Sequence, residues 1–124
     1  IILNRDRHGA NIEVLRNSKT HNIRIAPLFD HGLSLIYSCI SDDDALKFNI
    51  LEDKRCQNFI GSYSCYDNLG LIADKKSVFV NQLKPSDKNI IFEGLEDVLS
   101  EVFIDKIWNM IYERYTIYEN LWND

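Results

Sequence analysis

The sequence predicts an α+β fold that is mainly α: a short β-hairpin at the N-terminal end, followed by a helical bundle. Three observations predict it. Alternating apolar residues bracket a polar turn between Ile12 and Pro27, the run Ser41-Asp42-Asp43-Asp44 has the form of a helix start, and apolar residues recur at helical spacing from Leu95 to Tyr118. With 124 residues, 45% hydrophobic, 27% charged and only two prolines, the chain has the composition of one globular domain, which excludes collagen-like and disordered classes. That length supports a single core rather than two lobes and a linker.

The elements follow in order. Ile1-Ile2-Leu3 is apolar and opens at once into the polar Asn4-Arg5-Asp6-Arg7-His8-Gly9-Ala10-Asn11. Chain termini usually lie exposed, so an apolar start suggests a fragment of a longer protein and predicts that Ile1 to Leu3 lie against the core or in a partner contact. Ile12-Glu13-Val14-Leu15-Arg16 and Ile23-Arg24-Ile25 alternate apolar with polar residues across Asn17–Asn22, the mark of two half-buried strands in a hairpin. Pro27 ends the pairing because it lacks a backbone donor, and Leu28-Phe29-Asp30-His31-Gly32 follows as a short apolar stretch closing in a turn.

Beyond Gly32, Ser41 offers a hydroxyl cap and Asp42–Asp44 place carboxylates at the positive end of a helix dipole, predicting a helix over 42–50. Residues 51–83 mix Gly61, Gly70 and scattered aromatics, and only a short helix over 66–73 is readable there. Leu95, Val98, Leu99 and Val102 have helical spacing. Ile104, Ile107, Trp108, Ile111, Tyr112, Tyr115 and Tyr118 continue it with a shifted phase, which predicts two helices or one bent near Phe103. The aromatic stripe reads as core.

Charge and cysteine content narrow the function classes. The net charge of −5 argues against general nucleic-acid binding, and no apolar run is long enough for a transmembrane helix. Residues 1–24 carry Arg5, Arg7, Arg16, Lys19 and Arg24 against Asp6 and Glu13, a balance of +3 that leaves −8 for the rest. A basic leading segment on an acidic body would suit an anionic ligand such as phosphate. Cys39, Cys56 and Cys65 show neither a disulfide framework nor zinc spacing, so reduced structural thiols in a cytoplasmic protein are the expectation.

Asp6 and Asn11 have the five-residue spacing of kinase catalytic loops, where the aspartate accepts a hydroxyl proton and the asparagine holds a metal ion. Asp44 with Asn49 and Asp53 with Asn58 repeat that spacing, so context decides. Asn11 runs into a hairpin that delivers Asp30-His31-Gly32, the one Asp-x-Gly of the chain. Catalytic aspartate, metal-binding asparagine, hairpin and metal-binding aspartate is the order of the phosphoryl-transfer template, whose magnesium needs hard oxygen ligands.

Asp6-Arg7-His8-Gly9-Ala10-Asn11 resembles the Asp-x-His-x-x-Asn catalytic loop of the HipA-like serine/threonine kinases, and Ala26-Pro27-Leu28-Phe29-Asp30 resembles their metal-binding segment. The resemblance implies a catalytic loop at 4–11, a hairpin at 12–27, a metal-binding segment at 28–34 and a helical region at 41–122 like a kinase C-lobe. It implies Asp6 as catalytic base, His8 ordering the loop beside it, and Asn11 and Asp30 as magnesium ligands. Arg5 and Arg7 flank the base and would meet nucleotide or substrate phosphate. Magnesium and ATP would be the cofactors and a protein hydroxyl the acceptor, with an antitoxin-like partner as in some toxin–antitoxin relatives.

The glycine-rich phosphate loop, strand lysine and adenine hinge of such kinases have no counterpart here, so the chain resembles the C-terminal catalytic portion, inactive alone. Two other function classes stay open. One is a non-catalytic binding or regulatory module on a degenerate kinase fold. The other is a zinc or iron hydrolase site built from Asp6, His8, Asp30 and His31.

Overall fold

A computed structural model describes residues 2–58, 61–73 and 82–123. The fold is α+β and mainly α, with two small sheets, four α-helices and a 3-10 turn at Gly9–Asn11 among the described residues. In chain order these are β1 (Asp6–Arg7), β2 (Val14–Arg16), β3 (Ile23–Ile25), α1 (Asp42–Lys47), β4 (Gln57–Asn58), α2 (Cys65–Ala73), α3 (Asp87–Phe92) and α4 (Glu101–Asn123).

Strands β2 and β3 form the expected antiparallel hairpin, in register Val14 to Ile25, Leu15 to Arg24 and Arg16 to Ile23. Its connection is a network of its own: the Asn17 side chain accepts from the Lys19 and Thr20 backbone N–H groups, each at 2.9 Å. The strands are not half-buried as their alternation predicts. Val14, Ile23 and Ile25 are 61, 70 and 67% exposed, because no described element covers either face of this two-stranded ribbon.

Helix α1 begins where the sequence places it. The Ser41 hydroxyl accepts from the Asp44 N–H, and the Asp44 carboxylate accepts in return from the Ser41 N–H, a complete capping box. The same carboxylate accepts from the Ser41 hydroxyl and the Ile40 N–H, and these hydrogen bonds, the hydroxyl's first, hold it below the usual carboxylate range. The helix is shorter than the predicted 42–50, ending at Lys47.

Helix α4 is one continuous helix through Phe103 that begins only at Glu101, which corrects the expectation of two helices parting there. Residues 95–99 are a turn, not a helix: the Val98 and Leu99 N–H groups both return to Leu95 O. Gly94, at φ 78°, adopts the left-handed conformation between α3 and this turn.

The core lies along α4. Met110 and Ala45 are fully buried and meet Leu3 and Ile36, with Phe48, Val102 and Ile107 around them. A second cluster joins Phe92, Ile104 and Trp108, and the Trp108 and Tyr112 rings stack with centroids 5.4 Å apart. Leu3 thus lies in the core as the apolar start predicts, whereas Ile2 is exposed and Ile1 is outside the described residues. Arg114 is buried on the same helix and donates through Nε to Ile50 O and through Nη2 to Glu52 O, both at 2.8 Å. It thereby satisfies carbonyls that the end of α1 and the following turn leave without backbone partners.

No helix among the described residues is long and apolar enough to cross a membrane. Cys39, Cys56 and Cys65 are free thiols. Burial, followed by the neighbouring Cys56 and Asp53, pushes the Cys65 thiol up to about 12.

Candidate functional site

Two sequence-distant strands build the site. β1 pairs in parallel with β4, Asp6 opposite Gln57 and Arg7 opposite Asn58, a pairing that nothing in the sequence pattern announced. The Gln57 N–H donates to Arg5 O at 2.7 Å, and the Arg5 side chain returns the bond through Nε to Arg55 O at 3.0 Å. On the other side, Arg5 N–H donates to Leu33 O and Leu35 N–H to Ile2 O, so the segment after Asp30 lies along the loop.

Residues 8–11 close as a short 3-10 turn. The His8 Nδ1 accepts from the Ala10 N–H at 3.1 Å, capping it, while His8 Nε2 faces Asp6 Oδ1 at 3.4 Å. The imidazole is therefore fixed at one nitrogen by the loop's backbone and set at the other beside the carboxylate. Asn11 is buried, and its Nδ2 donates to the Asp6 carbonyl at 3.0 Å. The Asp6 N–H is taken by Asn4 Oδ1 at 3.0 Å. Both peptide groups of Asp6 are thus held by side-chain amides, while its half-buried carboxylate lines a cleft.

Arg7 joins this loop to the segment carrying Asp30. Its Nη1 donates to Asn11 O at 3.1 Å and to Phe29 O at 2.6 Å, and its Nη2 lies 3.0 Å from His31 Nδ1. Asn4 Nδ2 adds a bond to Asp30 O at 3.3 Å. Asp30 itself adopts φ 55°, a left-handed conformation that aspartate tolerates better than most residues and that is frequent where local strain serves a site. The structure therefore brings Asp6, His8, Asn11 and the Asp30 backbone into one hydrogen-bonded unit.

The cleft beside Asp6 has a volume of about 470 Å³ and is walled by Arg5, Tyr37, Arg55, Gln57 and Tyr63. Its far wall is built by residues the sequence reading left unassigned. Arg55 forms an antiparallel bridge with Ser64, and the Cys56 N–H donates to Tyr63 O at 2.8 Å. Asp53 caps α2, accepting from the Cys65 N–H at 2.9 Å and the Tyr66 N–H at 3.3 Å. Asn68 reaches back from α2 to take the Ser62 N–H and give to Ser62 O and Ser64 O. Gly61 makes this possible: at φ 112°, a Cβ there would sit 2.1 Å from Asn68 Oδ1.

Of the predicted site residues, Arg5 and Asp6 face the cleft, whereas Arg7 has its donors committed to Asn11, Phe29 and His31. Among the described residues no three His, Cys, Asp or Glu side chains form a metal-holding group, so Asp6, His8, Asp30 and His31 do not assemble into the hydrolase-type site. Sequence reasoning missed Arg55, Tyr37 and Tyr63, and no motif marks them; the β1–β4 pairing brings Arg55 to Asp6, Tyr63 follows through its bond to Cys56, and Tyr37 arrives on the segment bonded to the loop at Leu33 and Leu35. No protein-family model, curated protein or solved structure matches the chain.

Proposed function

We propose that this chain is the catalytic portion of a HipA-like serine/threonine protein kinase, transferring the γ-phosphoryl group of ATP to a protein hydroxyl. One observation carries the reading: Arg7 and Asn4 tie the Asp6 loop to the Phe29–His31 segment, so the two motif segments are neighbours in space as phosphoryl transfer requires. Asp6 accepts the proton of the acceptor hydroxyl at its carboxylate. His8 holds that carboxylate's loop in place, and Asn11 anchors the peptide behind it.

The donor chemistry fits magnesium bound together with nucleotide phosphates. With Nδ2 of Asn11 engaged by Asp6 O, the amide oxygen is its remaining ligand atom, and Asp30 would supply a carboxylate. An amide oxygen and one carboxylate suit an ion that takes its other ligands from phosphate and water rather than from an all-protein cage. When bound, magnesium would neutralise the phosphate charge that builds during transfer. A cytoplasmic setting belongs to this reading, since ATP is available there and thiols such as Cys39, Cys56 and Cys65 stay reduced.

The test is phosphoryl transfer from labelled ATP by the full-length protein. Asp6→Asn and Asp30→Asn each abolish incorporation while leaving the thermal unfolding midpoint close to wild type. Transfer that survives both substitutions overturns the assignment. Stabilisation of the full-length protein by magnesium-ATP separates the enzyme from a binding module on a degenerate kinase fold, which gains none.

A further inference from the structure

The cleft beside the base has a basic lining in a chain whose net charge is −5. Arg5 and Arg55 both face it, and among the described residues neither forms an ion pair, although the chain carries 19 acidic residues. Both guanidinium groups are held in place without being neutralised. Arg5 is pinned through Nε to Arg55 O and through Nη1 to the Tyr37 hydroxyl, each at 3.0 Å, which leaves Nη2 without a partner among the described residues. Arg55 lies over the Tyr63 ring, its guanidinium carbon 4.8 Å from the centroid, so the face is covered while the N–H edge stays available. A rigid arginine edge with its face stacked and its charge unmatched is the arrangement that recognises an oxyanion.

We infer that Arg5 and Arg55 form a specificity pocket for an acidic side chain of the acceptor protein, next to the hydroxyl that Asp6 engages. The inference rests on the kinase reading for the identity of the acceptor. Asp6 shares the cleft and repels a carboxylate brought directly to it, so the acidic residue belongs beside the acceptor position and not at it. Arg55 is the discriminating residue because among the described residues its side chain makes no hydrogen bond that holds the fold, whereas Arg5 also bonds Arg55 O and the Tyr37 hydroxyl.

The experiment measures binding of two fluorescein-labelled peptides to the full-length protein at low salt, one with glutamate on each side of a serine and one with glutamine there. The wild type binds the glutamate peptide about tenfold more tightly, and the preference fades as salt screens it. Arg55→Gln erases the preference and Arg55→Lys keeps part of it. Equal affinity of the wild type for the two peptides overturns the inference, as does an Arg55→Gln protein that still prefers glutamate. Phosphorylation is scored separately: a preserved preference with no transfer to either peptide sinks the kinase reading and leaves the acidic pocket standing. Transfer to both peptides with equal affinity does the reverse.

Discussion

The side-chain amide of Asn11 donates to the backbone carbonyl of Asp6 at 3.0 Å, across the turn that separates them. This bond fixes the five-residue spacing as a geometry: the asparagine closes the loop from within, and the aspartate's carboxylate is left for the cleft. Because Asn11 is buried, replacing it leaves the Asp6 carbonyl without this partner.

Asn11→Ala is therefore expected to lower stability by about 1–2 kcal/mol, read by urea unfolding, since the Asp6 carbonyl loses its partner. In the full-length protein the same change is expected to lower phosphoryl transfer far more than Asn17→Ala, whose side chain serves only the hairpin turn. Equal effects of the two substitutions on transfer would count against a role for Asn11 beyond local structure.

Arg7 makes three contacts that a lysine cannot reproduce together: Asn11 O, Phe29 O and His31. Arg7→Lys keeps the charge but loses the planar fork, at a cost of about 1–3 kcal/mol. Hydrogen exchange should show the loss locally. The amide of Ser34, bonded to His31 O at 3.0 Å, is expected to exchange faster, while the Ala45 amide in α1 is unchanged.

Arg114 is the buried cation of α4, and its donors satisfy Ile50 O and Glu52 O. Arg114→Met keeps the volume of the stem and removes both bonds, so about 2–4 kcal/mol of stability should be lost. Arg114→Lys should recover less than half of it, because one ammonium does not span two carbonyls in this planar arrangement. Chemical denaturation of both variants decides.

The α1 cap carries a pH dependence of known sign. The Asp44 carboxyl is held below its ordinary value of 3.8, first by the Ser41 hydroxyl, so the ionised form is favoured in the folded state. Its contribution is complete above pH 3.8 and is lost as pH falls through the lower folded value. Asp44→Asn should remove that part of the acid dependence in thermal melts between neutral and acidic pH, whereas the surface pair Asp43 with Lys47 should matter little.

How much of this was legible in the sequence differs element by element. The hairpin, the α1 start and the α2 position follow from local signals, because turns, caps and carboxylates at a helix N-terminus act within a few residues. The 95–102 stretch misled because Leu95, Val98 and Leu99 have helical spacing in a turn that follows Gly94, so periodicity and conformation separated there. The exposed hairpin misled for another reason: alternation reports that a face is apolar, not that something covers it.

The sequence by itself determined the class of the fold, the helix cap at Ser41, the apolar stripe of α4 and the order of the Asp6, Asn11 and Asp30 motifs. Tertiary structure alone decided what stands opposite Asp6. Gln57 and Arg55 reach it through a parallel pairing of two-residue strands some fifty positions apart. Tyr63 reaches it through a loop that Gly61, Asp53 and Asn68 hold in shape. Parallel pairing at that separation has no local signature, since its hydrogen bonds join backbone groups that every residue carries, and burial elsewhere sets its register.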